Sequence, residues 1–284
     1  SQDAESFSQE FILASQGEKD LDWLVGLFYL LENPYGLTGF DLPVFGFPFG
    51  QIESQNDTDA YAIFSHVSYH LTNKIRLNAG LRYSDEKKQM TRARFADFTL
   101  VQGPEMLEGS WDSWTPKIGL DYFLNEDVML YVSASRGFKS GGFAPGVGSP
   151  PVDPEKIDAY EVGAKSTLLD GRLRLNTSAF MYDYKDMQIN TFNPNNPAAL
   201  IFRNVGEAEI KGLEIEVSAL PFESLQLDIG LSWLDAEIID FPVPVSAAAP
   251  TGNHKGNKLP GSPDFTANVG IKYTHDMTGL GMLV

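Results

Sequence analysis

Basic and aromatic side chains gather at two places in this chain. Arg136, Phe138, Lys139 and Phe143 sit close together, and Phe192 and Arg203 flank a later loop. Guanidinium and ammonium groups hold carboxylates and phosphates through charge-assisted hydrogen bonds, and aromatic faces accept flat or cationic partners. Such a mixture suits a planar anionic ligand, an iron chelate among them. The alternative is that these residues anchor strand ends and pair with their own wall. A second group, Lys87, Lys88, Arg92 and Arg94, is a local basic patch in an otherwise acidic chain. It would attract an anionic chelate or a lipopolysaccharide phosphate, or it is a solvated loop flank.

Other chemistry finds little support. There are no cysteines, so thiolate nucleophiles and thiolate metal sites are excluded. The histidines, His66, His70, His254 and His275, are scattered. His66 and His70 share a strand parity but lie roughly 13 Å apart by strand rise, too far to share a metal. No nucleophile–base arrangement is suggested, and the carboxylates are too dispersed to nominate an acid–base pair. The reading is therefore of a protein that is not an enzyme and needs no cofactor. The net charge of −17 argues against a nucleic-acid partner, because phosphate backbones reward lysine and arginine.

The elements that would position these groups are strands. Around Asp170-Gly171 two runs alternate strictly. Leu173, Leu175, Thr177, Ala179 and Met181 take one face, and Arg172, Arg174, Asn176 and Ser178 the other. The Asp-Gly pair predicts a two-residue type I′ turn. The cleanest alternation sets Ile75, Leu77, Ala79, Leu81 and Tyr83 against Arg76, Asn78, Gly80, Arg82 and Ser84. A period of two sustained this long means a sheet with one apolar and one polar face. Connections alternate short and long throughout. Short ones fall at 16–20, 72–73, 125–127, 169–171, 221–224 and 275–279, and long ones at 32–56, 89–111, 139–154, 190–199 and 239–263. That is the pattern of an antiparallel up-and-down sheet with tight turns at one rim and loops at the other.

Strand length decides the environment. Some fourteen residues rise roughly 46 Å along the strand, and a tilt near 45° leaves about 33 Å of height. That exceeds the apolar band of about 25 Å in a membrane barrel. No apolar run reaches the roughly 18 residues of a spanning helix, but barrel strands hide their signal in alternation. Aromatics on the apolar parity fall near strand ends, with Tyr83, Trp233 and Tyr273 as examples, as expected of interfacial girdles. The expected fold is an all-β, antiparallel transmembrane barrel wall. A soluble two-sheet sandwich is the alternative that such aromatics leave open.

Several motifs carry a resemblance. The run Ser133–Phe143, SASRGFKSGGF, is followed by Pro154-Glu155, by Tyr160–Lys165 and by Asp170-Gly171-Arg172-Leu173. With Asn204–Ala208 and Gly212–Glu216, this order resembles the barrel of TonB-dependent outer-membrane receptors. Ser8–Phe11, Leu21–Trp23 and Gly26–Tyr29 are similar to the earlier part of that barrel. The resemblance spans residues 1–284 and implies about 11–12 strands of a 22-stranded barrel in the outer membrane of a Gram-negative bacterium. Against the family pattern, the plug domain, the TonB-contacting segment and the final aromatic-ended strand are expected to be absent, leaving two open sheet edges. The resemblance implies import of a scarce ligand, a ferric siderophore first among them, with energy relayed by the TonB complex and with outer-membrane lipids around the wall. A passive porin or structural barrel is the alternative. It also implies that the Asp170-Gly171 turn faces the periplasm and that the long connections are extracellular.

Overall fold

The computed structural model describes residues 2–17, 20–40, 50–146, 148–193, 196–242, 252–277 and 281–283. In chain order the strands are β1 (Gln2–Ala14), β2 (Leu21–Phe40), β3 (Gly50–Thr72), β4 (Ile75–Ala96) and β5 (Thr99–Phe123). They continue as β6 (Val128–Lys139), β7 (Glu155–Leu168), β8 (Leu173–Lys185), β9 (Gln188–Asn193) and β10 (Asn196–Asn204). The last are β11 (Glu207–Phe222), β12 (Leu225–Asp240), β13 (Phe265–Tyr273), β14 (His275–Met277) and β15 (Gly281–Leu283). Eleven of them form one antiparallel sheet, in the order β1 to β8, then β11, β12 and β13. β9 with β10, and β14 with β15, make separate two-stranded ribbons. The eleven-stranded, all-β architecture agrees with the sequence reading.

Parity separates two faces. On β3, Ile63 is 50% exposed while Ala62 is 3% exposed, and Tyr61, Val67, Tyr69 and Leu71 follow Ile63. The register carries this outward face across the sheet, with Tyr29 opposite Tyr61, and Ile63 opposite Tyr83, which faces Trp114. The Tyr83 and Trp114 rings lie 4.8 Å apart, and Trp233 and Phe265 lie 5.2 Å apart further round. These pairs form the upper girdle. From Tyr61 to Leu71 is about 33 Å along the strand, or about 23 Å of height at a 45° tilt, close to the apolar thickness of an outer-membrane wall. An apolar furrow on this face, lined by Ile118, Leu120, Val132, Val162, Leu213 and Trp233, belongs to the lipid-facing wall.

The other face is polar. Arg76 pairs with Asp121 at 2.8 Å, and Asn78 donates to the same carboxylate. Arg82 lies over the rings of Phe28 and Phe64, at 5.4 and 5.5 Å, and donates to Ser84 Oγ. A single sheet has no second layer to pack against. Its buried apolar side chains therefore collect in two places: Ala60, Ala62 and Met90 on the inner face, and Val152, Met187, Val205, Ala208, Ala236 and Ile238 at the long-loop rim.

Four connections differ from expectation. The predicted loop at 89–111 is a hairpin, since β4 and β5 run on to a two-residue turn at Asp97-Phe98, both with positive φ. The predicted loop at 32–56 is likewise mostly strand, with β2 reaching Phe40 and β3 starting at Gly50. Above the girdle both faces are wet, so apolar alternation fades while the backbone ladder continues. The segment 190–199 holds most of the β9–β10 ribbon, and between the connections expected at 190–199 and 221–224 the chain breaks at Val205-Gly206 into β10 and β11. The Asp170-Gly171 turn is wider than a two-residue hairpin. Leu168 pairs with Leu173, and Leu169, Asp170 and Gly171 all adopt positive φ.

Candidate functional site

The segment after β6 folds back against the inner face of the wall, and the site is built around it. Its anchor is Arg92, on the inner parity of β4, whose side chain is fully buried. Its Nε donates to Glu105 Oε2 at 2.9 Å, Nη1 to the Ala144 carbonyl at 2.5 Å and Nη2 to the Ser149 carbonyl at 2.7 Å. Glu105, on β5, also accepts from the Gly148 N–H. The Arg92 guanidinium and that N–H hold the Glu105 carboxyl below the usual carboxylate range.

Four residues along β4 toward the girdle, Lys88 makes a second attachment. Its Nζ donates to the Gly141 carbonyl at 2.9 Å, pairs with Glu86 at 3.1 Å and lies 5.9 Å from the Trp111 ring centre. Trp111 in turn meets Phe143 edge to face, with centroids 5.5 Å apart. A Cβ on Gly141 would sit 2.3 Å from the indole, and one on Gly109 would do the same. Only glycine leaves room for this indole at both positions.

The opposite side of the segment is tied to β7–β10. Gln188 Nε2 donates to the carbonyls of Ser140 and Asp153, and Asn204 exchanges two hydrogen bonds with the Asp153 backbone. Glu155, buried at the start of β7, accepts from the Tyr184 hydroxyl and the Gln188 N–H, and lies 3.4 Å from Lys139 Nζ. Burial and the Glu155 carboxylate push Tyr184 up to about 12.

Between these attachments lies a cavity of about 490 Å³ lined by Phe138, Lys139, Ser140 to Phe143, Gln188, Phe202, and Asn56, Glu86 and Lys88 across the bore. A neighbouring cavity of about 220 Å³ shares Asn56, Glu86 and Lys88 and continues down the wall to Arg82 and Phe28. The buried Ser140 Oγ has no hydrogen-bond partner among the described residues. The cavity is bordered by two ammonium groups, Lys88 paired with Glu86 and Lys139 with Glu155, and by the phenylalanines Phe143 and Phe202. That chemistry suits an aromatic or otherwise flat anion.

The residues singled out from the sequence divide. Phe138, Lys139 and Phe143 come together at the cavity, and Lys88 joins them from the other group. Arg136 does not. It lies on the outward parity of β6 and forms a two-toothed pair with Asp158 on β7, at 2.6 and 2.9 Å. Arg203 neighbours the cavity residue Phe202, but its Nη2 reaches toward the Pro242 carbonyl at 3.5 Å and its buried Nε has no hydrogen-bond partner among the described residues. The Phe192 backbone pairs with Leu200 in the β9–β10 ribbon, and its side chain lies outside the described residues. The basic patch is split as well: Lys87 is exposed on the outward parity, Arg94 is exposed near the hairpin tip, and Arg92 is consumed by the infolded segment. Ser140, Gln188, Phe202, Asn56 and Glu86 carried no signal in the sequence, because only the folded-back segment brings them together.

The family model for the TonB-dependent receptor-like β-barrel matches residues 2–283. The chain is 30% identical over 213 residues to the metal-pseudopaline receptor CntO of Pseudomonas aeruginosa, covering 73% of this chain and 29% of that protein. It is 25% identical over 219 residues to the pesticin receptor of Yersinia pestis, covering 73% of this chain and 30% of the relative. The chain thus spans under a third of the length of these curated relatives. Among solved structures, the ferric yersiniabactin uptake receptor FyuA of Yersinia pestis superposes with a TM-score of 0.82 at 20% identity, over 99% of this chain and 41% of that one. The siderophore receptor PiuA of Acinetobacter baumannii gives 0.77 at 17% identity, over 96% and 44%. At those identities the superpositions speak for the fold.

Proposed function

Because this chain belongs to the TonB-dependent receptor family, with the barrel model matched along nearly its whole length, we propose that it forms the ligand-binding wall of an outer-membrane active transporter. The cargo is a scarce metal chelate, a ferric siderophore first among them. Energy comes from the TonB complex through segments outside this chain, and the long-loop rim is extracellular. The observation that carries this reading is the cavity of about 490 Å³, which Lys88 and Lys139 border together with Phe138, Phe143 and Phe202. Ferric chelates with phenolate, catecholate or carboxylate arms present flat anionic surfaces, which ammonium groups and ring faces recognise together. The names of two similar proteins point to the same class, one to a metal–pseudopaline complex and the other to ferric yersiniabactin. The role is transport, as in those receptors, and no catalytic group is invoked.

The test is chelate uptake by cells carrying the full-length receptor. Lys139→Gln combined with Phe143→Ala is expected to weaken chelate binding about tenfold or more, the loss of about 1.4 kcal/mol. Arg136→Gln, on the outer wall, is expected to leave it unchanged. Undiminished binding in the double variant would remove this cavity from the reading. Uptake that persists without TonB would favour a passive pore.

A further inference from the structure

The cations that border the cavity are not free charges. Lys88 pairs with Glu86 at 3.1 Å, and Lys139 lies 3.4 Å from Glu155, whose side chain is buried. The smaller cavity below repeats the balance. It adds Arg82 and Glu32, so the two cavities, with Glu155 behind Lys139, are framed by three cations and three carboxylates among the described residues. The signs alternate along the bore. On the inner parity of β4 the charged residues run Arg82, Glu86, Lys88 toward the long-loop rim, and Glu32 enters the row of Lys88 from β2 across Thr58. Among the described residues Glu32 makes no ion pair, and Glu86 pairs only with Lys88.

A charge withdrawn from water is costly unless it meets an opposite one. A trianionic chelate would satisfy the two lysines and press its remaining negative charge against Glu86 and Glu32. The rest of the chain offers no compensation, since its net charge is −17. A ligand of both signs has no such difficulty. Lys88 gives one N–H to the Gly141 carbonyl and one to Glu86, and keeps a third for an anionic arm. Ammonium or amide donors on the same ligand take the open lone pairs of Glu86 and Glu32. We infer that the site selects a chelate of low net charge that is zwitterionic at its rim, a metal complex carrying amine as well as acid groups rather than a polyanion. This rests on the reading of the cavity as the cargo site and narrows it to one class of cargo. Glu86 and Glu32 set the specificity, by repelling excess negative charge as much as by accepting donors.

The experiment is calorimetric binding to the full-length receptor of two gallium complexes built on one core. One is the tris-catecholate, which is trianionic; the other carries an aminomethyl group on each ring, and is zwitterionic with no net charge. Wild type is expected to bind the zwitterion about tenfold more tightly, since close like charges repel even in a wet bore. Glu86→Gln/Glu32→Gln should bind the trianion about tenfold more tightly than wild type does and lose the preference. Glu86→Asp, which keeps the charge, should keep the preference. A wild-type preference for the trianion, no preference, or an unaltered preference in the double glutamine variant would overturn the inference and leave the cavity as a site for anionic chelates. Binding that Lys139→Gln/Phe143→Ala does not weaken, or no binding of either complex, would instead remove the cavity reading, and this inference with it.

Discussion

Above the girdle, the inner and outer walls use the same residues for opposite purposes. Arg92 and Arg136 each meet a carboxylate on the neighbouring strand, Glu105 and Asp158. Arg92 is fully buried and spends its other nitrogens on two backbone carbonyls, whereas the Arg136 side chain is 45% exposed and, among the described residues, pairs only with Asp158. Lys88 and Lys87 repeat the contrast one residue apart, the first bound to the Gly141 carbonyl and the second in solvent. The difference is parity. A one-residue step on a strand reverses the face, so residue type alone does not say whether a cation serves the bore or the bilayer surface.

The sharpest way to break the comparison is to remove each arginine in turn. Arg92→Ala strips two carbonyls of the infolded segment and the partly exposed Glu105 of their partner, and each buried acceptor left unpaired costs about 1–3 kcal/mol. Arg136→Ala removes an exposed pair, which is worth about 0–1 kcal/mol. Thermal unfolding of the two variants in detergent, with limited proteolysis across 140–154, is expected to show early cleavage only for Arg92→Ala. Similar midpoints for both would mean that burial does not separate them.

The next contrast lies within the infolded segment. A Cβ at Gly141 would meet the Trp111 ring at 2.3 Å and the Val152 carbonyl at 2.4 Å, whereas one at Gly142 has nothing within 4 Å. Gly141→Ala should therefore cost about 1–3 kcal/mol as an overpacking change, displace the indole and alter its fluorescence. Gly142→Ala should leave both stability and emission near wild type. If the two variants behave alike, Trp111 is not held between the glycines.

Much of this was legible from the sequence, and the limit falls at the girdle. Below it lipid enforces alternation, so Tyr61 to Leu71 and Ile75 to Tyr83 announce strand, face and environment together. Above it water covers both faces, and 89–111 reads as a loop although its backbone ladder continues to Asp97-Phe98. Phe138, Lys139 and Phe143 were readable as a group because they are neighbours in the chain, and all three border one cavity. Arg136 was grouped with them for the same reason, yet its side chain is held on the outer wall by Asp158, and Phe138 shares its parity. Gln188 and Phe202 carry no such mark, since their roles depend on where the segment from Ser140 to Pro154 folds, a tertiary fact fixed by Arg92 and the Trp111 slot.

The smallest expected effect tests whether the inner-wall attachment is electrostatic as well as steric. Glu105 is held below the usual carboxylate range by the Arg92 guanidinium and the Gly148 N–H. A carboxyl whose folded value is depressed contributes stability in full above its unfolded value, about 4.3 for glutamate, and loses it as pH falls through the lower folded value. Neutral solution therefore keeps the segment closed, and acidification past about pH 4 should loosen it. Glu105 is partly exposed, so the change is modest and local. Hydrogen exchange across 140–154 should quicken below that pH in wild type, relative to the pH trend of the β7–β8 ladder. In Glu105→Gln it should be quicker already at neutral pH and lose the acid-dependent step. A step that persists in Glu105→Gln would assign the acid response to another carboxylate, with Glu155, on the opposite side of the same segment, the next to replace.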